Sequence, residues 1–224
     1  MSDDKTLQAR VMDELEWEPR LNAAHLAVTA RDGVVTLNGF VESYAAKALA
    51  EKAARRVRGV RAIAEEIEVR LPNNQKHSDD EIADRALRIL AWDLEIPDDR
   101  IQVKVEHGLV TLTGAVNYHF QRTAAEADIH KLGGVRGVQN LITVEPLPGH
   151  GADPELVCRK IESALRRSAE LQADQIDVSV DGGEVILRGR VQTWWERSVA
   201  ENAAWAAPGV RRVRDEIEVR PGIA

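Results

Sequence analysis

The sequence predicts an α+β protein made of three repeated α-β-β-α-β domains, each a three-stranded mixed sheet with two helices on one face. The first observation behind this is a motif, Gly-x-Val-x-Leu-x-Gly-x-Val, that occurs three times: GVVTLNGFV, GLVTLTGAV and GEVILRGRV. Its copies begin at Gly33, Gly108 and Gly183, each 75 residues after the last. The second is that other signals keep the same step: Gly-Val-Arg at Gly59, Gly134 and Gly209, and a leucine at Leu15, Leu90 and Leu165. The third is a change of apolar period, helical then alternating, repeated within every step. Three steps fill the 224 residues, so a separate catalytic domain is not expected. The domains are expected at residues 3–71, 78–146 and 153–221.

The first helix of each copy starts at a capping residue, Asp3, Ser78 or Asp153. Ser78-Asp-Asp-Glu81 matches a capping box, and Pro154 stands at a first helical position, where its missing N–H costs nothing. The buried stripe runs Leu7/Val11/Leu15, Ile82/Ala86/Leu90 and Val157/Ile161/Leu165. That i, i+4, i+8 spacing turns one apolar face to a sheet.

Two strands follow, alternating as Leu26/Val28/Ala30 and then Val35/Leu37/Gly39/Val41 in the first copy. Asp32-Gly33, His107-Gly108 and Gly182-Gly183 join them, the residues a two-residue hairpin needs for positive φ. Gly39, Gly114 and Gly189 fall in the inward row of the second strand, where glycine marks a bulge or a close backbone approach. The alanine-rich second helix is expected to supply that approach. A third strand, residues 60–69 and equivalents, pairs parallel to the second through a right-handed crossover. The linkers around residues 72–77 and 146–151 are short, so the second face of each sheet is expected to be buried between neighbouring copies.

A domain of about 70 residues is near the lower limit for one apolar core. Disulfides cannot help, because Cys158 is the sole cysteine; it reads as a helix residue in a reducing compartment. The acidic start lacks an apolar signal region, and no stretch approaches the roughly 20 apolar residues of a transmembrane segment. A cytoplasmic location, extending to the inner leaflet of the cytoplasmic membrane, is the expectation. The net charge of −7 is not concentrated: residues 1–72 hold 11 basic and 12 acidic side chains, 73–147 hold 8 and 12, and 148–224 hold 11 and 13. With no basic domain, nucleic acid is not an expected partner.

The glycine-bearing hairpin strand, the helix carrying Glu51, Glu126 or Glu201, and Gly-Val-x-x-Val/Ile at Gly59, Gly134 and Gly209 together resemble the BON domain family. The resemblance covers nearly the whole chain. It implies a module that binds phospholipid surfaces, with links to osmotic or envelope stress and to transport, and no shared catalytic machinery.

The candidate lipid-binding residues are Arg55, Arg56, Arg58, Arg61, Arg136, Arg211, Arg212 and Arg214, with Trp194. The arginines have two readings: complements to the C-terminal dipole of the second helix, or a patch for anionic phospholipid headgroups. At about 1 kcal/mol per cation near a membrane, four give about 4 kcal/mol, or roughly millimolar affinity; linked domains gain by effective concentration. Of the adjacent tryptophans, Trp195 is expected in the core and Trp194 exposed as an anchor. Trp17 and Trp92 are read as core or interdomain packing. Residues 194–208 span roughly 21 Å as a helix, so the aromatic start and the Arg-flanked end are expected to act separately.

The histidines share no repeat position, and His130 with Glu126 reads as a solvated helix pair. No catalytic residues, cofactor or metal site are expected. The leading reading is a non-enzymatic protein associating weakly and multivalently with anionic phospholipid. The alternatives are a self-associating scaffold or protein-partner module, and a transport-associated role in solute or ion handling.

Overall fold

The computed structural model describes residues 2–72, 77–146, 153–168 and 175–220. Most of both linkers therefore lies outside the described residues. The element order repeats three times. The first copy runs α1 (Ser2–Trp17), β1 (Leu26–Arg31), β2 (Val34–Val41), α2 (Tyr44–Arg56) and β3 (Ala62–Val69). The second runs α3 (Asp79–Trp92), β4 (Ile101–Glu106), β5 (Leu109–Val116), α4 (His119–His130), β6 (Gly137–Asn140) and β7 (Thr143–Val144). The third runs α5 (Pro154–Arg167), β8 (Ile176–Asp181), β9 (Glu184–Val191), α6 (Trp194–Trp205) and β10 (Arg212–Val219).

Each sheet centres on its hairpin's second strand. β4–β5 and β8–β9 are antiparallel, β5–β6 and β9–β10 parallel, as the crossover requires. In the first copy Arg61 donates to the Gly33 carbonyl and Arg70 to that of Val41, so β3 runs the same way as β2. Repeat two differs in that its last strand is broken at Leu141–Ile142, and both pieces pair with β5. The hairpins close in two residues with positive φ at both, Asp32 (51°) and Gly33 (79°) in the first copy. That is the primed turn whose twist matches the strands.

The predicted helix stripes are all buried, from Leu7, Val11 and Leu15 to Val157, Ile161 and Leu165. They pack on Val35, Leu37 and Val41 or their equivalents, with Ala50, Ala53 and Ala54 closing the core from α2. The outward residues of the first strands, such as Thr29, Lys104 and Ser179, are exposed. The second sheet face is thus not buried there, contrary to expectation.

The close approach at the strand glycines comes from a different backbone than the one predicted. A Cβ on Gly114 would lie 2.0 Å from the Arg100 carbonyl oxygen, just before β4, with φ at +129°. Gly39 and Gly189 meet the His25 and Gln175 carbonyls in the same way. The partner is the hairpin's own first strand, and the second helix is not among the nearest atoms.

Asp3 lies inside the first turn of α1 and is not its cap. The helix carboxylates serve the hairpin instead: Asp4 accepts from the Asp32 N–H at 2.9 Å, and Asp79 from those of His107 and Gly108 at 2.7 and 2.9 Å. These backbone donors hold the Asp79 carboxyl below its ordinary pKa. Pro154 fills the Asp79 position in the third copy, so that link is lost there.

The chain divides into two compact units: Met1–Phe40, Ala48–Glu68 and His150–Ala224 form one, and Val41–Lys47 with Val69–Gly149 the other. Nearly all of the first and third repeats thus share a unit.

Candidate functional site

The backbone N–H of Arg61, Arg136 and Arg211 donates to the carbonyl of Gly33, Gly108 and Gly183 at 2.7, 2.9 and 2.8 Å. Each side-chain stem then crosses the hairpin glycine: a Cβ on Gly33 would lie 2.7 Å from Arg61 Cδ. All three arginines are exposed. Among the described residues, none of these three guanidinium groups makes an ion pair.

The other candidate arginines separate into two sets. Arg58 is exposed and, among the described residues, without an ion pair. Arg55 bonds to Glu51 one turn away, and Arg56 ties α2 to α1 through Glu14 (2.9 Å) and Glu18 (3.8 Å). Arg212 faces Glu184 at 3.8 Å and Arg214 faces Glu216 at 2.8 Å. An arginine already engaged by a carboxylate has less field to offer a second anion. Arg58, Arg61, Arg136 and Arg211 therefore form the available set.

The aromatic expectations need three corrections. Trp194 is half-buried, with the Arg197 guanidinium 4.9 Å and that of Arg55 5.6 Å from its ring centroid. Its indole nitrogen is buried without an acceptor, so Trp194 is not a free anchor. Trp195, expected in the core, is 37% exposed and lies 5.8 Å from Lys52 Nζ. Trp17 and Trp92 are 83% and 87% exposed rather than packed. Their position explains this: Trp17 is two residues past Leu15, about 200° around the helix from the buried stripe.

The expected separation of aromatic start and basic end does not hold within the first unit. There α2 of the first repeat meets the start of α6, which brings Arg55 to Trp194 and Lys52 to Trp195. A cavity of about 700 Å³ opens beside this contact, lined by Arg61 and Val34 on one side and Trp194 and Arg197 on the other.

A second basic feature had no sequence signal, because it depends on two helices lying side by side. Arg159, Lys160, Ser163 and Arg167 on α5 face Ala203 on α6 and Ala206 just past its end across a groove of about 370 Å³. In the first repeat the equivalent groove keeps one base, Arg10, and carries Asp13, Glu14 and Trp17 beside it. Position 17 of the repeat is exposed in every copy, as Trp17, Trp92 and Arg167.

In the second unit, His130 lies 3.7 Å from Glu126 and edge-on to Tyr44 at 4.9 Å. Burial lowers its pKa, against the pull of Glu126. Burial, helped by Arg122, lowers that of His119 to about 4. Cys158 is half-buried; its thiol faces the Val178 carbonyl at 3.3 Å, and burial raises its pKa. A raised pKa makes for a poor nucleophile. Among the described residues no cluster of three or more metal-ligating side chains occurs, and no helix is long and apolar enough to cross a membrane.

Comparison with known proteins gives one family. The BON domain model matches residues 3–70, 78–146 and 153–221. Osmotically-inducible protein Y of Escherichia coli (strain K12) is 29% identical over 143 residues, which span 62% of this chain and 71% of that protein. Two solved structures align at low similarity. One is CdsD, a structural protein of the type III secretion system of Chlamydia trachomatis, at 16% identity and TM-score 0.27 over 97% of this chain and 93% of that one. The other is the CdsD C-terminal domain, at 15% and 0.26 over 96% and 98%. Likeness at that level says nothing about function.

Proposed function

Because the chain belongs to the BON domain family, with three copies along nearly its whole length, we propose that it is a non-enzymatic protein that associates peripherally with anionic phospholipid surfaces. The observation that carries this reading is the exposure of Trp17 and Trp92 at the ends of their helices. An indole needs an environment that is apolar at one end and wet at the other, which is what a headgroup region offers. Burying about 100 Å² of such a ring contributes about 2.5 kcal/mol at 25 cal/mol per Å². The exposed guanidinium groups of Arg58, Arg61, Arg136 and Arg211 supply attraction to phosphate, at about 1 kcal/mol each near an anionic surface. Neither contribution suffices alone, so binding depends on several repeats engaging together.

The name of the Escherichia coli relative supports placing this activity in the response to osmotic stress. The test is co-sedimentation with phosphatidylglycerol vesicles, comparing the natural chain with a Trp17→Ala/Trp92→Ala variant. The reading expects a loss of at least tenfold in partitioning. An unchanged partition coefficient would remove the aromatic half of the proposal.

A further inference from the structure

We propose that the cavity between the first and third repeats is a binding site for a small organic phosphate, held by Arg61 and walled by Trp194. The cavity belongs to the first unit and has a volume of about 700 Å³, within the range of small-ligand pockets. Asp32, Val34, Arg61 and Ala62 come from the hairpin turn and third strand of the first repeat. Trp194, Arg197 and residues 217–220 come from the third. No single BON repeat contains this site, so the inference does not depend on the membrane reading.

The charges of the lining decide the ligand class. Arg197 is held by Asp215 at 2.6 Å and Arg220 by Glu218 at 2.8 Å. Asp32 is exposed beside Arg31, 4.0 Å away. Arg61 alone among the lining cations has no ion pair within the described residues. Its stem passes over Gly33, where the missing side chain leaves room for it, and the guanidinium reaches the cavity. Arg55 and Arg197 lie over the Trp194 ring but are already paired with Glu51 and Asp215, so the anion's charge falls to Arg61. The planar fork of one unpaired guanidinium matches two oxygens of a phosphate monoester, which fixes the ligand class on Arg61.

Trp194 supplies the second observation. Its indole N–H is shut off from solvent with no acceptor, which costs free energy in the empty cavity. Arg55 and Arg197 hold the ring by its face and no hydrogen bond fixes the N–H, so ligand binding turns the indole to give this donor a phosphate oxygen. The ester's carbon body then lies against Val34 and Ala62, where the lining is apolar.

The repeats supply an internal control, because Arg136 and Arg211 occupy the same position as Arg61 but do not line the cavity. Titration of the full chain with glycerol phosphate, read by tryptophan fluorescence and calorimetry, should give saturable one-site binding. Trp194→Phe should remove the fluorescence change. Arg61→Gln should weaken affinity about tenfold or more, while Arg136→Gln and Arg211→Gln leave it unchanged. Val34→Phe, at an exposed strand position, should block binding by filling the cavity without altering charge. Equal weakening by all three arginine variants would show diffuse screening and overturn the site. So would a response to phosphatidylglycerol vesicles with none to millimolar glycerol phosphate, since the ligand would then be a lipid surface.

Discussion

The guanidinium of Arg55 lies 5.6 Å from the ring centroid of Trp194, although 139 positions separate them in the chain (194 less 55). It joins the end of the second helix in one repeat to the start of the same helix in another. A cation over an indole face is worth about 0.5–1 kcal/mol where exposed and more when desolvated. Arg55→Ala and Trp194→Leu should therefore show a coupling of about 0.5–1 kcal/mol in a double-mutant cycle followed by denaturant unfolding. Additive effects would mean that the contact carries no energy.

Gly114→Val should destabilise the chain by about 3 kcal/mol or more, combining overpacking with a strained positive φ. The new Cβ meets the fixed Arg100 carbonyl, and neither strand of the hairpin can withdraw without breaking its register. Gly182 is the contrast, with φ at +54° and nothing within 4 Å. Gly182→Asn should change stability by less than about 1 kcal/mol. Similar thermal shifts for both would show that φ alone, and not the backbone approach, governs these glycines.

The strand glycines also show how far the sequence could be read. Period and step identified the hairpins, the helix stripes and the inward glycines, because each is a local consequence of spacing. The approach at Gly114 was legible as a close approach, but not its partner, since helix and strand backbones leave the same glycine signature. Residue type misled at the tryptophans: Trp17 and Trp92 look like core residues until their angle from Leu15 is counted. Trp194 looked exposed because part of its cover, Arg55, comes from another repeat, while the nearer Arg197 lies one turn along its own helix. The arginines were identified by repetition, but repetition could not separate Arg61, whose guanidinium is available, from Arg56, which is occupied by Glu14 and Glu18.

Trp17→Ala and Trp92→Ala should each alter stability by less than about 0.5 kcal/mol, because neither ring has a core to leave. Equilibrium unfolding of the single variants measures this directly. A loss of several kcal/mol from either would place that ring in a packed interface and take it out of the membrane account.

Acid should weaken the fold through His119. Burial depresses its folded pKa to about 4 from an ordinary value of 6.5, so the unfolded chain binds the proton more readily between those values. The contribution of neutral His119 is present in full above pH 6.5 and is lost as pH falls towards 4. His119→Gln should reduce the slope of the stability profile across that window, leaving the part that His130 contributes. A variant that keeps the natural slope there would assign the acid sensitivity to other groups.

The central claim is peripheral binding to anionic lipid, and flotation of the intact chain with vesicles tests it most directly. Phosphatidylcholine vesicles with and without phosphatidylglycerol, each at low and high salt, make the four arms. The account predicts binding only with the anionic lipid and only at low salt, because Trp17 and Trp92 do not suffice once the arginines are screened. It also predicts a further loss when Arg58, Arg61, Arg136 and Arg211 are all changed to Gln. No flotation in any arm, with self-association in the same samples, would contradict the account and leave a self-associating scaffold in its place.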